Sequence, residues 1–339
     1  MRLNEDCDSL LIEEGGTIAV AGDPDKGVVA NGDNITIIVD GTIETNTSDG
    51  DGIEVFGDNA TVTNNGLIDL DGFVATGIIT EGADATVTNN GMIIAQFDGI
   101  RSTGSNIAVV NNGLIRSTDF LSDGIDVRGA NASVTNGIDG VIVTEDSSSQ
   151  GLEATGDFAS AVNHGTVVPE DRDSEAILIE GFQAEAHNTG RITTQGSDSE
   201  GILVRGEQSS ATNSGSVMTT GTSAHAVRLG GSDVQFTNTG LLSATGETAF
   251  AISGSGDDQS VTLGVGSQII GDIDLGGGDD TLIIEAGNAS TVMTVLGVET
   301  IETGGDVAVL RVPVDAAVSD DGVVHTIDVT GPAVINEVS

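Results

Sequence analysis

The chain has 339 residues, 53 acidic and 10 basic side chains, and a formal net charge of −43. Nucleic-acid binding needs a basic patch, and one lysine (Lys26) with nine scattered arginines provides none; anionic membranes and polyuronates would be repelled as well. With 37% hydrophobic residues, many of them Val and Ile, the chain is too apolar and too β-branched for a disordered acidic tail.

The N-terminus, Met1-Arg2-Leu3-Asn4-Glu5-Asp6, lacks the apolar run of a signal peptide. No stretch of about 18 apolar residues occurs, so no transmembrane helix is expected in this chain. Cys7 is the one cysteine, which rules out an internal disulfide. A mature or truncated segment of an exported protein is the reading that reconciles these features with the repeats that follow.

From residue 16 a turn recurs along the chain. It reads Asn64-Asn65-Gly66-Leu67-Ile68, Asn89-Asn90-Gly91-Met92-Ile93 and Asn111-Asn112-Gly113-Leu114-Ile115, and later Asn213-Ser214-Gly215-Ser216-Val217 and Asn238-Thr239-Gly240-Leu241-Leu242. Its glycines lie at 16, 41, 66, 91, 113, 140, 165, 190, 215 and 240, a step of 25 broken once by 22 and once by 27. A second series, Gly27-Val28, Gly52-Ile53, Gly77-Ile78, Gly99-Ile100, Gly124-Ile125 and Gly151-Leu152, keeps the same beat. Helical repeats need about 33 or more residues and propeller blades about 40. A period near 25 with alternating short apolar segments predicts three strands per repeat, as in Ile53-Glu54-Val55-Phe56, Ala60-Thr61-Val62-Thr63 and Leu67-Ile68-Asp69-Leu70.

Strands this short must pair with the next copy. The predicted fold is all-β: a single right-handed parallel β-helix of about ten 25-residue, three-strand coils, stacked at about 4.8 Å per coil around an aliphatic core. A thin core of this kind needs few aromatics, and the chain has no Trp, no Tyr and 8 Phe. Residues 1–15 are expected to form an N-terminal cap or first strand, 16–250 the regular coils, and 251–339 irregular C-terminal coils and a cap. Within the coils Asn64, Asn89, Asn111, Asn136, Asn163, Asn188, Asn213 and Asn238 fall in one column, a structural ladder in which each side-chain amide both donates and accepts. The 22- and 27-residue steps place irregularities near 94–112 and 137–162, where a solenoid tolerates change and where a recognition surface is expected.

Beyond residue 250, Gly276-Gly277-Gly278-Asp279-Asp280-Thr281-Leu282 matches most of a calcium-binding nonapeptide, G-G-x-G-x-D-x-U-x, with Leu275 in place of the first glycine. Asp279 and Asp280 are therefore candidate Ca²⁺ ligands. Such sites need consecutive copies, and a plain Gly-Asp turn explains a lone copy equally well. No cofactor is required by any motif.

The repeated "ATVTNNGLI … DGI" coils resemble the passenger domains of bacterial autotransporters and related β-helical surface adhesins. The opening "SLLIEEGGTIAV" (Ser9 to Val20) is similar to the start of such passengers. The segment "GSQIIGDIDLGGGDDTLIIEAG" (Gly266 to Gly287) resembles the coil that precedes their C-terminal membrane barrel. The resemblance implies an extracellular or cell-surface protein, an adhesin-type interaction module with a protein or glycan ligand or with self-association, and no chemistry of its own. Neither a signal peptide nor barrel strands with aromatic girdles are found in this sequence.

Two rival functions set the alternatives. One is a calcium-binding β-roll-like module built on Gly276–Asp280. The other is a polysaccharide lyase or hydrolase, since such enzymes also use parallel β-helices and place paired carboxylates across a groove. The outward column after the second glycine reads Glu54, Ile79, Arg101, Asp126, Glu153, Leu178, Leu203 and Arg228, in which Arg101 beside Asp126 is expected to form a rung-to-rung ion pair. Without Trp or Tyr, no aromatic platform for sugars is expected. The histidines His164, His187, His225 and His325 fit surface turns, with no recurring second metal-type ligand.

Overall fold

The structure is a computed structural model that describes residues 1–20, 26–285, 293–303, 308–313, 328–330 and 333–338. Every regular element in it is a β-strand, mostly of four residues. The strands form three parallel sheets of 15, 14 and 11 strands, and each strand pairs with its counterpart one repeat away. The result is a β-solenoid of eleven full coils, one more than the glycine count suggests. The segment Gln268–Ile270 still supplies a third strand, pairing Leu242 with Ile269. After it, among the described residues, the turns carry strands of the other two sheets only. The expected C-terminal cap lies largely outside the described residues.

We name the sheets by their role. The groove sheet contains Val28–Asn31, Ile53–Phe56, Ile78–Glu81, Ile100–Thr103 and Ile125–Arg128. The ladder sheet contains Thr61–Asn64, Thr86–Asn89 and Ala108–Asn111, and the third sheet Leu67–Leu70, Met92–Ala95 and Leu114–Ser117. Alternation sorts each strand into an inward and an outward set. Ile43, Ile68, Ile93, Ile115 and Ile142 form one buried column, and Val62, Val87, Val109, Val134, Ala161, Ala186, Ala211 and Phe236 another. Where the inward column turns polar, at Thr80 and Ser102, the two hydroxyls bond to each other at 2.5 Å.

The asparagine column closes the corner between ladder sheet and third sheet. Asn89 Nδ2 donates to Asn111 Oδ1 at 2.8 Å, Asn111 to Asn136 at 2.8 Å, and Asn136 to Asn163 at 2.9 Å. The chain of bonds runs from Asn64 to Asn238 and ends on the Ser267 hydroxyl at 2.6 Å. All eight amides are buried. The turn that follows leaves no room for a side chain: a Cβ on Gly91 would sit 2.1 Å from the Gly66 carbonyl oxygen. That close approach of stacked backbones explains the glycine at this point of the repeat.

The two irregular steps fall in loops. The 27-residue step is an insertion at 137–139 in the asparagine turn, and it carries Ile138 at 81% exposure. The 22-residue step is a deletion in the corner joining third sheet and groove sheet. That corner takes seven residues in 46–52, 71–77, 118–124 and 145–151, but only four in 96–99.

Candidate functional site

The groove sheet carries a cavity at its first coils. Its outward column pairs coil to coil as Glu54, Ile79, Arg101, Asp126, Glu153, Leu178, Leu203 and Arg228. Beside it, just before the second glycine, runs a column of Asp51, Thr76, Asp98, Asp123, Gln150, Glu175, Glu200 and His225, tied by backbone bonds such as Gly77 N–H to the Asp98 carbonyl. Outward side chains on a solenoid are ordinarily wet. Here Asp51, Asp98, Asp123, Asp126, Ile79 and Leu203 are buried.

The buried carboxylates are engaged locally. Three of them bend toward the following coil and accept its backbone N–H: Asp51 Oδ1 from Thr76 at 2.8 Å, Asp98 Oδ1 from Asp123 at 2.9 Å, and Asp123 Oδ1 from Gln150 at 2.8 Å. Cations cover only some of them. Lys26 Nζ reaches Asp51 Oδ2 at 2.7 Å and Glu54 Oε1 at 2.8 Å. The expected Arg101–Asp126 pair does not form, although the two residues are neighbours in register. Asp126 bonds instead to Arg128 Nε at 2.8 Å, and Arg101 lies 3.8 Å from Asp98 Oδ2. The reason is geometric: residues i and i+2 of a strand share a face, so Arg128 reaches Asp126 along its own strand.

Burial dominates the acidities. It pushes Asp98 up to about 7, with the Asp126 charge adding to the effect while the Asp123 N–H and the arginines oppose it. Asp126 is raised to about 6 by burial and the Glu153 charge, against Arg128. Asp123 is raised by burial, then by Asp98, Glu153 and Asp126. Lys26 is held above its ordinary range: burial opposes its charge, but the bonds to Asp51 and Glu54 outweigh that. Further along, burial lowers His225, whose ring stacks on Phe250 at 5.5 Å and whose Nδ1 accepts the Phe250 N–H at 3.0 Å.

A cavity of about 370 Å³ opens at the first coils of this groove, lined by Lys26, Asp51, Glu54, Thr76, Ile79 and Arg101, and by Asp49, Val74 and Phe97 of the corner loops. The size falls in the range of small-molecule pockets. The same corner holds Phe73 and Phe120, so three of the 8 phenylalanines cluster on one edge of three consecutive coils. A search for sugar platforms among Trp and Tyr misses them. The signal was present in the spacing, because Phe73, Phe97 and Phe120 recur at nearly the repeat length.

Asp279 and Asp280 are not brought together. Asp279 is exposed, and its N–H bonds to Asp258 Oδ1 at 2.8 Å. Asp280 points inward: its Oδ1 accepts the Gln259 N–H at 2.6 Å and its N–H donates to Glu299 Oε2 at 2.8 Å. The two carboxylates thus stand in different environments, one exposed and one buried. Among the described residues no cluster of three or more His, Cys, Asp or Glu is placed to hold a metal. Asp280 Oδ2 and both side-chain polar atoms of Gln259 are buried with no hydrogen-bond partner, and burial raises Asp280 to about 7. His164 and His187 occupy different columns, bonded to Thr189 and Thr212 at 2.7 and 2.8 Å.

No protein-family model matches the chain, and comparison with curated proteins and with solved structures found no match either.

Proposed function

We propose that this chain is a non-enzymatic, cell-surface or extracellular β-helical module: a stiff acidic rod that carries a recognition groove along one of its three faces. The observation that carries the reading is the coil-to-coil register, broken only by a shift at Phe250–Ile252 among the described residues, joined to the buried asparagine ladder. A solenoid stabilised by nearest-neighbour coils is a spacer by construction, and irregular loops on one edge of it are where recognition is best placed. High negative charge keeps such rods apart until salt or divalent cations screen them. The test is localisation. Antibodies raised against the rod should label intact cells of the source organism or its culture medium, and protease added outside should remove the label. Signal that emerges only after lysis would overturn the reading.

A second reading, cleavage of a glycan, is favoured by one feature. Asp98 and Asp126, raised to about 7 and about 6, face one groove on neighbouring coils, and perturbed carboxylates concentrate at catalytic sites. Incubation with a panel of neutral and acidic polysaccharides, followed by assay of new reducing ends, tests it. Release that is lost in Asp126→Asn would replace the first reading with the second.

A further inference from the structure

We propose that the notch at the shortened corner loop 96–99, with the cavity beside it, docks a basic and apolar peptide segment of a partner protein. This rests on the reading of the chain as a recognition rod and names what its groove would recognise.

The first observation is shape. Seven-residue corner loops stand on both sides of the four-residue loop, so the ridge that borders the groove is interrupted here, as it is again only toward the C-terminal coils, where the corner shrinks to 245–249 and then to residue 271. The second is exposed apolar surface. Phe73, Phe120 and Leu121 are 64%, 50% and 53% exposed, with Val74 and Phe97 half-buried between them in coil order. Contiguous apolar patches on an otherwise polar surface mark contact sites.

The third observation is that the fold does not ask for these side chains. One position of the corner loop adopts the left-handed backbone in coil after coil. Its occupants are Asp49, Ser148, Asp173, Asp198, Ser223 and Thr248, and at the two coils flanking the notch Val74 and Leu121, with φ of 60° and 59°. Asp and Ser tolerate that conformation by bonding to local backbone; a β-branched Val gains nothing there and is strained. Among the described residues, apolar side chains appear at this position only where they border the notch.

The fourth observation is charge, and it selects the occupant. Asp49, Asp51 and Glu54 stand at the cavity against Lys26 and Arg101, and the next coils add Asp98, Asp123, Asp126 and Glu153 against Arg128. At the cavity itself three carboxylates, Asp49, Asp51 and Glu54, thus face two cations, while burial holds protons on Asp98, Asp123 and Asp126 beyond it. A lysine or arginine entering the cavity supplies the missing positive charge, while apolar neighbours in its sequence lie on Phe73, Phe97 and Phe120. An anionic ligand would meet repulsion, and a neutral glycan would leave the carboxylates uncompensated.

Fluorescence polarisation with a labelled Leu-Arg-Phe-Lys-Leu peptide, at about 0.15 M salt to suppress diffuse attraction to the acidic rod, tests the proposal. Saturable binding is expected. It should weaken about tenfold or more in Phe73→Ser/Phe120→Ser, which alters only exposed side chains, and in Asp51→Asn/Glu54→Gln. It should be unchanged in Phe158→Ser/Phe182→Ser, a control that removes the exposed aromatic pair on the opposite corner of the groove sheet. Equal binding by all variants, or none up to about 1 mM peptide, would overturn the proposal. Binding of a neutral hexasaccharide that is lost in the same variants, with no peptide binding, would overturn the peptide as occupant and keep the rod as a recognition module. Failure of surface labelling would instead strike the rod reading and leave the binding data standing.

Discussion

Asn89 and Asn90 are consecutive residues with nearly identical hydrogen bonds and opposite environments. Asn89 Nδ2 donates to Asn111 Oδ1 at 2.8 Å, and its Oδ1 accepts from Asn64 Nδ2 at 2.8 Å, all fully buried. Asn90 Nδ2 donates to Asn65 Oδ1 at 2.9 Å and its Oδ1 accepts from Asn112 Nδ2 at 2.9 Å, in contact with water. Replacing Asn89 by alanine leaves a donor on Asn64 and an acceptor on Asn111 without their best partners. Each retains a weaker contact, Asn64 to the Met92 carbonyl at 3.2 Å and Asn111 from the Gly113 N–H at 3.3 Å. A buried polar group stripped of its partner costs about 1–3 kcal/mol, so with that partial rescue Asn89→Ala should destabilise by about 2–4 kcal/mol. Asn90→Ala removes the same two amide-to-amide bonds, without the two longer contacts that Asn89 also makes to the Gly91 and Leu114 carbonyls at 3.5 and 3.3 Å, but water replaces them, and the loss should stay near 0.5 kcal/mol, as for most surface changes. Urea unfolding followed by circular dichroism measures both, as a shift of midpoint at constant slope. Equal losses would refute the argument that burial, rather than bond count, gives the ladder its strength.

Four further outcomes are expected. Phe236 is the largest fully buried side chain among the described residues, stacked between Ala211 and Val261; Phe236→Ala should cost about 3–5 kcal/mol in the same assay. Gln259→Met should stabilise by about 1–2 kcal/mol, because it removes two buried polar atoms that have no partner. Asp98, Asp123 and Asp126 have folded-state pKa values raised by burial, so the folded chain holds protons that the unfolded chain has released. Stability from this cluster is therefore fully present below the ordinary carboxylate range and is lost as pH rises toward about 7. The charged groups facing the cluster are Glu153, Arg101 and Arg128. Asp98→Asn keeps the acceptor for the Asp123 N–H and should flatten the decline, with its advantage over the parent largest near pH 8 and vanishing near pH 4. Finally, calcium and magnesium at matched ionic strength should raise the melting temperature equally, as screening of the −43 charge predicts; a calcium-specific rise that Asp280→Asn abolishes would instead establish a site at that turn.

The period of 25, the alternation within each strand and the recurring glycines determined the architecture from local information. A strand that is too short to bury its own face has one remedy, pairing with the next copy, and identical spacing makes the register unique. The asparagine column followed from the same spacing, since residues one period apart must stack. What the period cannot state is how deeply a column sits. Asp126 reads as outward, and it is outward but buried, as are Asp98 and Asp123 beside it; exposure depends on neighbouring side chains and on corner loops from other coils, which no single strand encodes. The choice of ion-pair partner was decided in the same way, by Arg128 lying on the strand of Asp126 while Arg101 had to reach across coils. The aromatic edge joins both kinds of information. Its spacing is written in the chain, but its exposure beside a cavity arises only when the shortened loop 96–99 is set between two longer ones.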